Sequence, residues 1–136
     1  MIQSVVEGES DMVANMANMA ALLHEAFGFW WTGFYRVVGE ELVLGPFQGP
    51  IACMRIAYGR GVCGTAWQRG EIVVVPDVEQ FPGHIACSSL SRSEIVVPIY
   101  NGDRVVAVLD IDSEHLATFD DIDREWLERI VQLLNW

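Results

Sequence analysis

The 136-residue sequence predicts an α+β fold: a mostly antiparallel central sheet, flanked by N- and C-terminal helices in at most three layers. Three observations point there. Apolar residues recur at helical spacing near both ends, alternating runs joined by turn residues fill the middle, and 51% of the chain is hydrophobic, enough to bury a core. The length suits one compact domain, so residues 1–136 are expected to form a single unit.

The first helix is expected to begin near Ser10 and to end at Gly28. Met12, Met16, Met19, Ala20, Leu23 and Phe27 follow one another at three- and four-residue steps and so share a face. Residues 31–38 alternate, Gly39-Glu40-Glu41 turns the chain, and 42–44 return as the second arm of a hairpin. Gly45-Pro46, Gly49-Pro50 and the glycines at 59, 61 and 64 then break the periodicity. No Gly-Lys-Ser/Thr follows and the chain lacks lysine, which rejects a phosphate loop. Residues 62–69, closed by Gly70, fit a short helix, and 71–75 a buried strand ended by Pro76. The stretch 77–93 is polar and aperiodic, and a loop of that length reads as a lid. Strands at 94–100 and 104–111 are joined by Asn101-Gly102. Asp120 caps a last helix whose first turn is acidic and whose apolar face is Ile122, Trp126, Leu127, Ile130 and Val131.

Nineteen Asp and Glu against eight Arg give a formal charge of −11. Phosphate backbones and anionic lipid would repel such a chain, which argues against nucleic acid and membrane surfaces and leaves a ligand carrying an ammonium group permitted. No run approaches the roughly 18 apolar residues that span a bilayer. Three cysteines are an odd number for a secreted disulfide scaffold, so a cytoplasmic protein is expected.

Two features depart from core-and-surface expectations. Cys53, Cys63 and Cys87 all lie in or beside irregular backbone. Each can be read as a small buried hydrophobe, and Cys63, four residues before Trp67 on the short helix, fits that best. Cys87 fits it worst, in a polar loop near His84 and Arg92 where a thiol can ionise. No Cys-x-x-Cys pair is present, so the spacing disfavours a metal site. The second feature is acidic: Glu94 opens one strand, and Asp110 and Asp112 alternate with Ile111 in another, sharing a face. They either face solvent at a strand end or sit together to hold an ammonium, a metal or a shared proton. His24 and His115 read as ordinary surface residues, and His84 as a bystander more than a base.

The residues that carry a family resemblance are Asp-Met-Val-Ala-Asn-Met-Ala-Asn-Met-Ala-Ala-Leu-Leu (11–23), Trp-Thr-Gly-Phe-Tyr (31–35), Leu-Gly-Pro-Phe-Gln-Gly (44–49), Ala-Cys-Met-Arg-Ile (52–56) and Gly-Arg-Gly-Val-Cys-Gly-Thr-Ala (59–66). They continue with Val-Pro-Asp-Val (75–78), Phe-Pro-Gly-His-Ile-Ala-Cys (81–87), Ser-Arg-Ser-Glu-Ile-Val-Val-Pro (91–98) and Leu-Asp-Ile-Asp-Ser (109–113). Over nearly its whole length the chain resembles the free methionine-(R)-sulfoxide reductases, single GAF domains. GAF domains in general lack three cysteines at these offsets. The resemblance implies that Cys87 is the nucleophile, Cys53 the resolving thiol and Cys63 auxiliary. It implies that Glu94, Asp110 and Asp112 contact the substrate's polar groups and that Trp31 and Tyr35 line the pocket around its methyl end. Backbone N–H groups at Ile85, Ala86 and Cys87 are expected to meet the substrate carboxylate.

Such an enzyme needs no metal or organic cofactor, and thioredoxin is its expected reductant. A homodimer through the first and last helices is also expected from relatives. A GAF ligand or redox sensor without turnover is the alternative, and a structural subunit would leave the paired carboxylates unexplained.

Overall fold

The structure, a computed structural model, describes residues 5–83 and 90–134. Six strands form one sheet: β1 (Trp31–Val38), β2 (Glu41–Gln48), β3 (Arg55–Ala57), β4 (Val73–Val75), β5 (Ser93–Asn101) and β6 (Arg104–Ser113). Their order is β3-β2-β1-β6-β5-β4, and every neighbouring pair is antiparallel. Helices α1 (Met12–Phe27) and α3 (Asp121–Val131) cover one face, and α2 (Gly61–Arg69) the other. The predicted α+β architecture is therefore present, with GAF-like layering of helix, sheet and helix.

Strand alternation decides which side each residue serves. On β6, Ala107, Leu109 and Ile111 join Phe34, Ile95 and Val97 beneath Met16, Met19, Leu23, Leu127 and Val131. Val108, one step out of phase, belongs to the opposite core with Trp31, Tyr35, Val62, Cys63 and Val96. Asp110 and Asp112 follow that second phase, which puts both carboxylates beneath α2 rather than in solvent.

Several local expectations change. The cap of α1 is Asp11, not Ser10; its side chain accepts from the Ala14 N–H at 2.9 Å. Gly28 closes the helix in the left-handed conformation. Gly45-Pro46 does not end the second strand. Between the pairs Gly33–Phe47 and Tyr35–Leu44, two residues of β2 oppose one of β1, a bulge that seats the proline. β3 pairs only with 41–43, so Pro46 lies beyond it, where a missing N–H is tolerated. β3 itself, three residues long, leaves no alternation to read. Both tight turns place glycine, not Asn101, first between the paired ends: Gly39 and Gly102 have φ of 65° and 66°. Asp120 caps α3 as expected, within a capping box completed by Asp123. That helix buries Leu127 and Val131, but Ile122 and Trp126 are 65% and 59% exposed; Phe27, on α1, is 65% exposed. These three belong to a stripe beside the core, not to it. His24 meets the hydroxyl of Thr32 at 3.4 Å.

Among the described residues, no helix is long and apolar enough to cross a membrane.

Candidate active site

Register assembles the acidic cluster. β6 lies between β1 and β5, so Asp112 is flanked by Trp31 on one side and Glu94 on the other, while Asp110 is flanked by Gly33 and Val96. All point toward α2, whose first turn brings Cys63 over them. The Cys63 thiol donates to Glu94 Oε2 at 4.0 Å. One donor atom each from Cys63, Glu94 and Asp110 lies within 4.8 Å of the others, a set that could also hold a divalent cation.

Above the carboxyls stands an aromatic wall. Trp31 stacks on Tyr35 at 5.9 Å between ring centres and on Phe47 at 5.2 Å. Gly33 makes this possible. A Cβ there would collide with the Phe47 Cβ and lie 2.6 Å from Trp31 Cη2, so the indole lies over the space a side chain would fill. Two hydrogen bonds tie the wall to the next segment. Trp31 Nε1–H donates to the Pro50 carbonyl at 3.0 Å, and the Tyr35 hydroxyl to the Cys53 carbonyl at 2.8 Å.

Burial sets the protonation of the cluster. Glu94 and Asp110 are 6% and 5% exposed, and Asp112 is half-buried. Desolvation raises all three carboxyl pKa values. Asp110 and Asp112 push Glu94 further, and Asp110 does the same to Asp112. The cluster therefore retains protons well above the ordinary carboxylate range. Asp110 Oδ1 is buried with no hydrogen-bond partner among the described residues, an acceptor poised for a ligand donor. The same burial, with Asp110 and Glu94 alongside, drives the Cys63 thiol up and keeps it protonated; Tyr35 is likewise held in its phenol form. A protonated, buried thiol is a poor nucleophile.

The pocket brings together Trp31, Tyr35, Cys63, Glu94, Asp110 and Asp112, six of the residues expected from the sequence. Cys53, half-buried, packs against the same core and is disulfide-bonded, whereas Cys63 is free. Ile85, Ala86 and Cys87, with His84, lie outside the described residues, as does the centre of the expected lid, 84–89. Its earlier part contains a short 3₁₀ turn, Val78–Gln80, capped by Asp77.

Sequence reasoning missed Arg60, Val62 and Ser91, which also line the pocket. Arg60 precedes α2 without capping it, and brings a cation to a pocket whose acidic lining residues are Glu94, Asp110 and Asp112. Its signal was the Gly-Arg-Gly sequence at a helix start, where first-turn amides lack intrahelical partners.

Comparison with known proteins identifies the family. The GAF domain family pattern matches residues 10–134. GAF domain-containing protein A of Dictyostelium discoideum is 58% identical over 135 residues, 98% of this chain and 85% of that one. Free methionine-R-sulfoxide reductase of Escherichia coli is 46% identical over 133 residues, covering 97% of this chain and 81% of that one. The crystal structure of free methionine-R-sulfoxide reductase from Neisseria meningitidis in complex with its substrate superposes with a TM-score of 0.96 at 60% identity, over 98% of this chain and 81% of that one.

Proposed function

The chain belongs to the free methionine-R-sulfoxide reductases, oxidoreductases built on a GAF domain, and from that membership we propose that it reduces free L-methionine-(R)-S-oxide through a thiol–disulfide cycle. The observation that carries this reading is the cluster of Glu94 and Asp110, both buried, with half-buried Asp112, packed between the Trp31–Tyr35 wall and Cys63. A sulfoxide sulfur becomes electrophilic when its oxygen is protonated as the S–O bond weakens. A carboxyl whose pKa is raised by burial supplies that proton at neutral pH.

In the proposed cycle the Cys87 thiolate attacks sulfur, the oxygen passes to Cys87, methionine leaves, and a sulfenic acid remains. The Cys53 thiol displaces that oxygen as water and closes a disulfide. Thioredoxin returns both thiols with two electrons. No metal or organic cofactor takes part. Cys53 in a disulfide and Cys63 protonated and free support the division into resolving and auxiliary thiols. Ionised forms of the same acidic cluster bind the substrate ammonium, and Arg60 supplies charge for its carboxylate. A peptide-bound methionine sulfoxide has no ammonium and would leave a buried carboxylate unpaired, so the free amino acid is preferred. We propose further that the protein acts in the cytoplasm as a homodimer.

The test is consumption of free methionine-(R)-sulfoxide with dithiothreitol or thioredoxin. Wild type is expected to turn over, Cys87→Ser to be inactive, and Cys53→Ser to complete one turnover but recycle slowly with thioredoxin. Mass spectrometry after one equivalent of substrate should find residues 53 and 87 linked. Binding without consumption would instead make the domain a sensor.

A further inference from the structure

We propose that Cys63, Glu94 and Asp110 form an inhibitory site for zinc, at which the ion and the sulfoxide exclude one another; this rests on the reductase reading above. The three side chains come from three separate elements: Cys63 from the first turn of α2, Glu94 from β5 and Asp110 from β6. Spacing along the chain hides the set, because residues 63, 94 and 110 meet only through sheet register and the docking of α2. All three are buried, at 4%, 6% and 5% exposure, and one donor atom from each lies within 4.8 Å of the others. Ligands on a tetrahedral zinc ion stand roughly 3.3–3.8 Å apart, given bonds of about 2.0–2.3 Å. Cys63 Sγ and Glu94 Oε2 are already 4.0 Å apart, so small side-chain rotations close the set.

A second observation points to a ligand. Asp110 Oδ1 is shut off from solvent and has no hydrogen-bond partner among the described residues, and a cation bound beside it offsets the penalty of that burial. Charge agrees. Among the described residues that line the pocket, Glu94, Asp110 and Asp112 are acidic and Arg60 alone is basic. The donor set selects the ion. Magnesium and calcium sites are built from oxygen ligands in six- to eightfold geometry, whereas zinc takes sulfur and oxygen together in fourfold geometry. Three protein ligands leave the fourth place for water. Binding displaces the thiol proton to solvent, and no electrons move. An occupied site ties up Glu94 and Asp110, so neither can protonate the sulfoxide or hold the substrate ammonium. Zinc therefore switches the reductase off without touching its nucleophile.

The full chain in its oxidised form, with Cys53 in its disulfide and Cys63 free, is titrated with cobalt chloride as a spectroscopic probe and then with zinc chloride. Expected are one bound equivalent, a thiolate-to-cobalt charge-transfer band in the near ultraviolet, and loss of that band as zinc displaces cobalt. Cys63→Ser should abolish the band and, like Asp110→Asn, weaken zinc binding about tenfold or more by calorimetry. Asp103→Asn, on an exposed turn, is the control and should match wild type. No band in wild type, or unchanged zinc affinity in either site variant, overturns the site. This measurement involves no sulfoxide, so its failure leaves the reductase reading standing. Inhibition is tested on reduced, desalted protein given one equivalent of free methionine-(R)-sulfoxide and no external thiol. Zinc is expected to slow methionine formation about tenfold or more and a chelator to restore it, with half-inhibition needing about tenfold more zinc in Cys63→Ser. Equal zinc sensitivity in the two proteins overturns the inhibition. A wild type that forms no methionine even without zinc overturns the reductase reading instead.

Discussion

At Glu94 the physical cost of burial and the proposed chemistry have the same origin. Desolvation, then the neighbouring Asp110 and Asp112, favour its protonated form. The folded state thus holds a proton that the unfolded chain has already released. With the folded pKa raised, stability is complete below the unfolded value and falls as pH climbs through the folded one. Glu94→Gln keeps the size and removes the titration. Its kcat/KM is expected to drop about 10²- to 10⁴-fold, the usual span for general acid catalysis. Its melting temperature should decline less than that of wild type between roughly pH 5 and 8, measured by calorimetry across that range. Parallel melting curves would place the retained proton on another carboxyl. The substrate side gives a second prediction. N-acetylated methionine sulfoxide lacks the ammonium, and kcat/KM should fall by about two orders of magnitude or more.

At the scale of elements, the aromatic wall depends on β1 having no side chain at Gly33. Gly33→Ala would force the Trp31 indole and Phe47 apart. The expected cost is about 1–3 kcal/mol of stability by chemical denaturation, with a raised KM for the sulfoxide. A variant of unchanged KM would mean the indole does not shape the pocket. β5 and β6 were legible as apolar runs joined by Asn101-Gly102, continuous because helices cover both faces of the sheet, and the Asp110-Ile111-Asp112 alternation put both carboxylates on a shared face. That the face is buried was not legible, since two carboxylates at a strand end look the same in solvent. β2 was cut short because Gly45-Pro46 reads as a break unless the two-against-one bulge is known. The last helix was misread at Ile122 and Trp126 because an apolar residue marks a buried face only if something covers it. Trp31 and Tyr35 were named by resemblance, and Cys63, singled out as one of three cysteines, took only its auxiliary role from it; Arg60 and Ser91 were found only once loops met strands across the pocket.

For the molecule as a whole, that uncovered stripe bears on assembly. Phe27 and Trp126 are more than half exposed around a groove floored by Leu23, Phe29, Phe119 and Leu127, and exposed Ile122 stands one helical turn before Trp126. Soluble monomers seldom leave so contiguous an apolar surface bare. A second copy of the same stripe covers it with like chemistry under two-fold symmetry, the commonest closed arrangement. The groove lies on the α1–α3 side of the sheet and the acidic pocket on the α2 side, so pairing leaves the site open. Two protomers of −11 charge repel, and salt screens that repulsion without weakening apolar contact. Light scattering is therefore expected to give a mass of twice 15.2 kDa, with dissociation favoured by lowering the ionic strength. Trp126→Glu should yield a monomer that still reduces sulfoxide in dithiothreitol. A wild type that stays monomeric at high salt and high concentration would leave the stripe without this partner.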